Sequence, residues 1–290
     1  MKRFKTLLGT LMTLTLAGAS AAQAQEKFKF ALNWFPVGDH TAYWVALDKG
    51  YYAKAGLDVT LENSKGSGDS IAKVDTGRAD AGLADAAVII AAVSRGAKIK
   101  TVGMVFDKTP LNVFSRPDMP IRTPKELEGH TIAAPPGDGQ RQIWPAFAKL
   151  HGVDMDKVTW VNVEPSAKVA AVSEKRVAAV ADYLTGQPNY DKAMGGPGTA
   201  VMMPWADFGF DMYSMSIMAS EDTMKNRPKA LKAFLEASYR QHGIGWMEPK
   251  KMCASVDLVN TYMGLKKTVA CDDVYTNDFL TKVSVPDNFK

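Results

Sequence analysis

The sequence predicts an α/β fold of two lobes, each a mostly parallel sheet flanked by helices. Short apolar strands alternate with helices from residue 28 to about 106, a pattern typical of parallel sheets. The alternation pauses around Arg116-Pro117 and then restarts inside the chain, so we expect one lobe inserted into the other. The length of 290 residues also favours two domains. The expected division is 25–114 with 212–290 for the first lobe and 115–211 for the second, with hinge crossings near 111–117 and 208–216.

The first lobe is predicted from strands that end in turns and lead into helices. Phe28 to Leu32 has the alternating pattern of a strand, and Gly50 ends the helix that follows it. Further strands are expected at 57–61, 79–83 and 99–106, and helices at 41–49, from Gly66 onward and at 86–94.

The second lobe repeats this order over a shorter stretch. We expect a helical turn at 125–129, strands at 131–134, 158–163 and 177–181, and a helix at 140–150. A strand at 211–218 leads back to the first lobe. Helices then follow, from Arg227-Pro228 to about Gln241 and from Lys250 to Met263.

The amino terminus has the order of a secretory signal peptide over residues 1–24. Three basic residues precede a short apolar run that ends at Ala22-Gln23-Ala24. Its removal changes the net charge from +4 to +1, which argues against a generic binder of nucleic acid or acidic membranes. We therefore expect a periplasmic protein. No cysteine lies near the cleavage region, so a lipoprotein is not expected, and an uncleaved anchor is the alternative.

The two cysteines, Cys253 and Cys271, both lie in the mature chain. In an oxidising compartment they can form a disulfide across 18 residues, and two buried thiols are the alternative. Zinc is disfavoured because two cysteines without a histidine pair are too few ligands.

Three turns that follow strands and open helices are candidate binding loops: 33–40, 66–69 and 135–140. Ligands of open α/β sheets bind at the carboxyl ends of strands, and helix N-termini offer free N–H groups. Simple helix capping is the alternative for each turn taken alone. The candidates on the second and third turns are Ser67, Gly68, Asp69, Gly137, Asp138, Gly139 and Gln140.

Side chains beside these turns suggest a planar ligand. Trp34 lies in a loop where packing alone does not require an indole, so we expect it to stack on a ligand, with Tyr43 or Tyr183 opposite. The remaining candidates are polar groups that can contact ring substituents: Asn33, His40, Asp85 and Glu164. Their alternatives are capping for the first three and a solvated loop acid for Glu164.

Catalytic and cofactor motifs are lacking in the sequence. Neither glycine turn is a P-loop or a dinucleotide fingerprint, and there is no G-x-S-x-G sequence. The four histidines have no metal-binding spacing. No cofactor is therefore expected.

Several segments resemble one protein family. Leu32-Asn33-Trp34-Phe35-Pro36, His40, Lys49-Gly50-Tyr51-Tyr52 and Gly56-Leu57-Asp58-Val59 resemble the opening of periplasmic binding proteins for pyrimidine precursors of thiamine. Gly77-Arg78-Ala79-Asp80-Ala81-Gly82 and Pro136-Gly137-Asp138-Gly139 are similar to segments of the wider superfamily, which includes the sulfonate- and nitrate-binding proteins of ABC transporters. The resemblance covers about residues 28–245.

The resemblance implies a type II periplasmic binding fold that closes on one small molecule and presents it to an ABC permease as a monomer. It makes a pyrimidine precursor of thiamine the first candidate ligand, with stacking by Trp34 and hydrogen bonds from Asn33 and Glu164. A receptor for sulfonates or aromatic carboxylates, an exported enzyme and a sensing partner of a membrane kinase are the alternatives. The fungal enzymes of this family carry a cysteine-rich motif that this sequence lacks.

Overall fold

A computed structural model describes residues 24–239 and 245–280. The predicted signal peptide therefore falls almost wholly outside the described residues. The first segment alternates strands and helices much as the sequence predicts. Its strands are β1 (Glu26–Ala31), β2 (Leu57–Glu62), β3 (Ala81–Asp85) and β4 (Ile99–Met104), and its helices are α1 (Thr41–Asp48), α2 (Tyr51–Lys54), α3 (Ser67–Asp75) and α4 (Ala86–Ser94).

Residue 111 begins the second segment, which contains five shorter strands and three helices. They are β5 (Leu111–Ser115), β6 (Thr131–Ala133), α5 (Gly139–Leu150), β7 (Thr159–Val161), α6 (Lys168–Ser173), β8 (Ala179–Tyr183), α7 (Gln187–Ala193) and β9 (Val201–Pro204). The predicted turn at 125–129 is a 3-10 turn at Pro124–Leu127.

The last described segment returns through β10 (Met215–Ser220). That strand begins four residues later than the predicted strand at 211–218, because residues 211–214 are not part of a strand. It is followed by α8 (Glu221–Asn226), α9 (Pro228–Tyr239), α10 (Pro249–Tyr262) and α11 (Cys271–Val274).

Two five-stranded sheets organise these elements. The first has the order β2-β1-β3-β10-β4 and the second the order β7-β6-β8-β5-β9. β1 pairs in parallel with β2 and β3, and β6 does the same with β7 and β8. One antiparallel strand enters each sheet, β10 in the first and β5 in the second. The predicted fold class is confirmed.

The expected crossing at 111–117 is wrong. Leu111–Ser115 is a fully buried strand that pairs with β8 and β9, so residues 111–114 belong to the second sheet rather than to the first lobe. Arg116-Pro117 follows it directly, and the pause in the strand-helix alternation at these residues led to the predicted crossing. The predicted strand 99–106 also ends early, at Met104.

The carboxyl-terminal helices join the two halves. α10 packs against both α4 and α5, and one continuous apolar core includes Ile89, Ile143 and Val256 from these three helices. The expected disulfide between Cys253 and Cys271 is present, with Cα atoms 5.1 Å apart, and it ties α10 to α11. Across residues 24–239 and 245–280, no helix combines the length and apolarity that a membrane span needs.

Candidate ligand-binding site

A cavity of about 350 Å³ lies between the two sheets, within the size range of small-molecule sites. Its walls come from both halves, at the carboxyl ends of strands, where open α/β sheets bind ligands. The contributing segments are 33–40 after β1, Gly66-Ser67 before α3, Asp85 at the end of β3, 138–140 at the start of α5, Pro165 to Val169 around the start of α6, and 182–190 after β8.

Aromatic side chains supply much of the wall. Trp34 and Phe35 lie next to each other on the first-lobe loop, with ring centroids 5.9 Å apart. From the second lobe, Tyr190 stacks on Phe114 at 4.1 Å, and its hydroxyl donates to Asp182 at 2.7 Å. These contacts fix the ring of Tyr190, and the cavity has an aromatic surface on each side.

Lys168 is a buried cation in the cavity wall. Its ammonium donates to Asp138 Oδ2 at 2.8 Å and lies 3.8 Å from Asp182 Oδ1. It also lies 4.5 Å from the ring centroid of Trp34, within cation–π range. Burial alone lowers the pKa of Lys168, but the two carboxylates outweigh it and raise the pKa above its usual value. Lys168 therefore stays charged, and it links the second lobe to the indole of the first.

Asp85 is the centre of a buried hydroxyl cluster. Its Oδ1 accepts from Tyr183 at 2.8 Å and from Ser214 at 2.7 Å, and its Oδ2 accepts from Ser67 at 3.1 Å. Burial raises the pKa of Asp85, and the three hydroxyl donors oppose that shift. Because Tyr183 belongs to the second sheet, this carboxylate also bonds the two lobes together.

Further contacts close the lobes around the cavity. Gly68 N–H donates to Gly137 O at 3.2 Å, and Lys65 forms an ion pair with Glu164 at 3.0 Å. A Cβ atom on Gly66, whose φ is +120°, would lie 2.1 Å from Gly137 O. The loops thus meet at backbone distance, and the structure is a closed form.

Asn33 and His40 form a pair within the first-lobe loop. Nε2 of His40 lies 2.9 Å from Oδ1 of Asn33, an acceptor, so Nε2 carries the hydrogen. Burial lowers the pKa of His40 to about 4, and the imidazole is neutral at pH 7. The backbone oxygen of Asn33 accepts from Gly66 N–H at 2.9 Å, which joins this loop to the second turn.

Nine of the predicted site residues line the cavity: Asn33, Trp34, His40, Ser67, Asp85, Asp138, Gly139, Gln140 and Tyr183. Several of these side chains make hydrogen bonds within the protein. Asp138 caps α5 by accepting from Arg141 N–H, and Gln140 donates to Asn112 O at 2.7 Å. Asp85 precedes α4 but makes no capping bond. Their roles toward a ligand remain predictions.

Five predicted residues lie away from the cavity. Tyr43 is a core residue, because it shares the inward face of α1 with Ala46 and its hydroxyl bonds to that of Tyr239. Glu164 is two-thirds exposed and lies on a separate outer groove, paired with Lys65. The other three belong to the same region of loop contact: Gly68, Asp69 and Gly137.

The sequence interpretation missed several lining residues. They are chiefly Phe35, Asp39, Lys168, Asp182, Thr185 and Tyr190. A signal was available for Lys168, Thr185 and Tyr190, because β7 and β8 are also followed by turns that open helices. Applying the strand-to-helix rule to those two turns as well would have included residues 165–169 and 184–190.

Metal binding has no support in the described residues. No group of three or more His, Cys, Asp or Glu side chains within 24–239 and 245–280 is arranged to hold an ion. The carboxylates of the cavity wall are instead engaged by hydroxyl groups, by backbone N–H groups or by Lys168.

Two five-stranded sheets that close over a cavity at their strand ends are the fold of the two-lobed periplasmic binding proteins. The chain belongs to the NMT1/THI5-like family, whose sequence profile matches residues 37–250. The family resemblance read from the sequence is confirmed.

Three curated relatives have different printed functions. The chain is 27% identical over 254 residues to a formylaminopyrimidine-binding protein from Halalkalibacterium halodurans, covering 85% of this chain and 76% of that protein. It is 27% identical over 231 residues to the riboflavin-binding protein RibY from Chloroflexus aurantiacus, covering 78% and 64%. It is 26% identical over 221 residues to a 4-amino-5-hydroxymethyl-2-methylpyrimidine phosphate synthase from Uromyces fabae, covering 73% and 64%. The chain thus spans slightly less than two thirds of the last two relatives.

Solved structures share the fold. A Bordetella bronchiseptica protein superposes with a TM-score of 0.75 at 15% identity, over 88% of this chain and 96% of that one. The nitrate-binding protein NrtA from Synechocystis has a TM-score of 0.57 at 16% identity, over 86% and 69%. The aliphatic sulphonate-binding protein SsuA from Escherichia coli has a TM-score of 0.54 at 16% identity, over 90% and 81%.

Proposed function

We propose that this protein is the exported solute receptor of an ABC importer and binds a small planar nitrogen heterocycle between its lobes. A pyrimidine precursor of thiamine is the first candidate. The single observation that carries the proposal is the closed cavity, whose walls combine aromatic rings with hydrogen-bond acceptors from both sheets. The names of two relatives, for formylaminopyrimidine and riboflavin, agree with this chemistry, because both ligands are planar nitrogen heterocycles.

The aromatic wall supports stacking as the main source of affinity. Trp34 presents a large ring on the first-lobe loop, and Tyr183 and Tyr190 face the cavity from the second lobe. Offset stacking of such rings adds about 0.5–1.5 kcal/mol beyond the burial of area. A ligand held this way stabilises the closed form, since it contacts both lobes at once.

The charge of the wall favours this ligand class over anions. Four carboxylates line the cavity, at Asp39, Asp85, Asp138 and Asp182, and Lys168 is the single Lys or Arg among the lining residues described. Two of the four carboxylates already engage that ammonium. A sulfonate or carboxylate would meet repulsion here, whereas amino groups and protonated ring nitrogens would meet acceptors.

We propose that this protein binds its ligand without converting it chemically. The fungal relatives carry the name of a synthase, but both cysteines of this protein are joined in a disulfide on the carboxyl-terminal helices. The histidine that lines the cavity, His40, contacts Asn33 through Nε2, and burial lowers its pKa to about 4. We further propose a periplasmic, non-lipidated monomer whose partner is a membrane permease, in keeping with the signal peptide predicted at residues 1–24.

Differential scanning fluorimetry with purified protein tests the proposal. The panel contains formylaminopyrimidine, 4-amino-5-hydroxymethyl-2-methylpyrimidine, riboflavin, benzoate and ethanesulfonate. A ligand present at 100 times its dissociation constant adds about 2.7 kcal/mol, which raises the melting temperature of a protein of this size by about 5–10 °C. We expect a shift with a heterocycle and none with either anion. The proposal fails if ethanesulfonate alone raises the melting temperature. It also fails if no compound of the panel raises the melting temperature at about 100 μM, a concentration taken as about 100 times Kd.

A further inference from the structure

We infer that Asp39 is the specificity-determining residue of the cavity, recognising an amino group or a protonated ring nitrogen of the ligand. This rests on the proposed function and deepens it, because it names the ligand group that must be present. Asp39 lies in the candidate turn 33–40, but neither its position there nor the family resemblance named it as a site residue.

Three of the four cavity carboxylates are already engaged by groups of the protein itself. Asp85 accepts three hydroxyl hydrogen bonds and has little capacity left for a ligand. Asp138 is paired with Lys168 and caps α5.

Asp182 is likewise engaged. Its Oδ2 accepts from the hydroxyl of Tyr190 at 2.7 Å, and its Oδ1 accepts from the backbone N–H of Tyr183 at 2.9 Å. Lys168 also lies 3.8 Å from that Oδ1. The structure thus already uses both oxygens of Asp182.

Asp39 differs from the other three. It lies in the 3-10 turn Gly38–His40, half-buried in the cavity wall, and its Oδ2 accepts one hydrogen bond from Thr185 Oγ1 at 2.9 Å. Among the described residues, its Oδ1 has no donor and neither oxygen has a cation within ion-pair distance. Burial raises the pKa of Asp39, the nearby Asp182 adds to that shift, and Thr185 opposes it. A partly desolvated carboxylate with one donor is the group that gains most from a ligand N–H.

The position of Asp39 suits this role. It follows Trp34 by five residues on the same loop, so one loop supplies both the stacking surface and the polar contact. Thr185 comes from the second sheet's side of the cleft, so the carboxylate is held in place only when the lobes are closed. A ligand without an N–H donor would leave Oδ1 buried and unpaired, at a cost in affinity.

Isothermal titration calorimetry with a matched pair of probes tests the inference. The probes are 4-amino-5-hydroxymethyl-2-methylpyrimidine and 5-hydroxymethyl-2-methylpyrimidine, which differ by the amino group. Wild-type protein should prefer the amino compound at least tenfold. Asp39→Asn keeps an oxygen for Thr185 but removes the charge, and it should reduce that preference to about twofold while binding of the second probe changes little.

The control is Asp58→Asn, which makes the same charge change on the exposed side of β2 and should keep the wild-type preference. Should Asp39→Asn melt early, Asp39→Ser removes the carboxylate without adding an amide and is read in the same way. An unchanged preference in a folded Asp39 variant overturns this inference alone. If the wild type binds neither probe nor any other heterocycle of the panel, the proposed function fails and the inference fails with it.

Discussion

Gly139→Ala should weaken ligand binding by preventing full closure of the lobes. A Cβ atom at this first residue of α5 would lie 2.0 Å from Asp85 Oδ2 and 2.8 Å from Ser67 Oγ, both on the opposing lobe. Backbone strain does not contribute, because Gly139 has no positive φ. The open form therefore tolerates alanine, and its α5 gains up to about 1 kcal/mol from the better helix former.

The size of the loss in affinity follows from the hydrogen bond that Asp85 loses. Real Cβ contacts are not found under 3.0 Å, so the carboxylate has to retreat by at least about 1 Å or the lobes must stay apart. Either movement breaks a hydrogen bond to this buried acid, from Tyr183, Ser214 or Ser67. Such a bond contributes about 1.5–3 kcal/mol, which corresponds to roughly 10- to 100-fold in affinity.

Calorimetry with the tightest heterocycle of the panel measures this loss, and small-angle X-ray scattering of the ligand-free protein measures the degree of closure independently. Gly103→Ala is the matched control, because its Cβ would lie 3.7 Å from its nearest neighbour, an ordinary contact far from the cleft. If Gly139→Ala matched the wild type in both affinity and radius of gyration, the closed geometry described here would not be the binding form.

Three further outcomes are expected. Trp34→Ala should lower heterocycle affinity at least tenfold, since it removes the stacking surface, whereas calorimetry of Trp34→Phe should find most of the affinity retained; equal losses would refute stacking. Burial lowers the pKa of His40 from 6.5 to about 4, so only the unfolded chain binds this proton between those values. The unfolding free energy from urea titrations should therefore fall by up to about 3 kcal/mol more between pH 7.5 and 4 in the wild type than in His40→Gln, and equal slopes would contradict the burial of a neutral imidazole. Reduction of the Cys253–Cys271 disulfide should cost about 3 kcal/mol in guanidinium denaturation, and an unchanged midpoint would show that the link adds no stability.

Local sequence signals were sufficient for most of the fold. Phe28 and Phe30 alternate with exposed lysines in β1, and the predicted turns before α3 and α5 contain residues that line the cavity. These features depend on residues close in sequence, so periodicity and turn chemistry report them.

Contacts between distant segments could not be predicted in the same way. Tyr43 and Trp34 both looked suitable for stacking, and only the packing of α1 on the first sheet decides that Tyr43 faces the core. The link between Asp85 and Tyr183 joins residues 98 positions apart, on different sheets. No local pattern encodes such a pair, because it exists only once the lobes have closed.

The position of β10 within the first sheet has a consequence for folding. Residues 215–220 lie between β3 and β4 and pair with both. The first sheet therefore cannot be completed until the whole second lobe has been synthesised. Pairings over such long sequence separations form slowly. A newly made chain therefore lacks an interior strand of its first sheet for most of its synthesis, which suits the export that we propose, because a chain crosses a membrane before it folds.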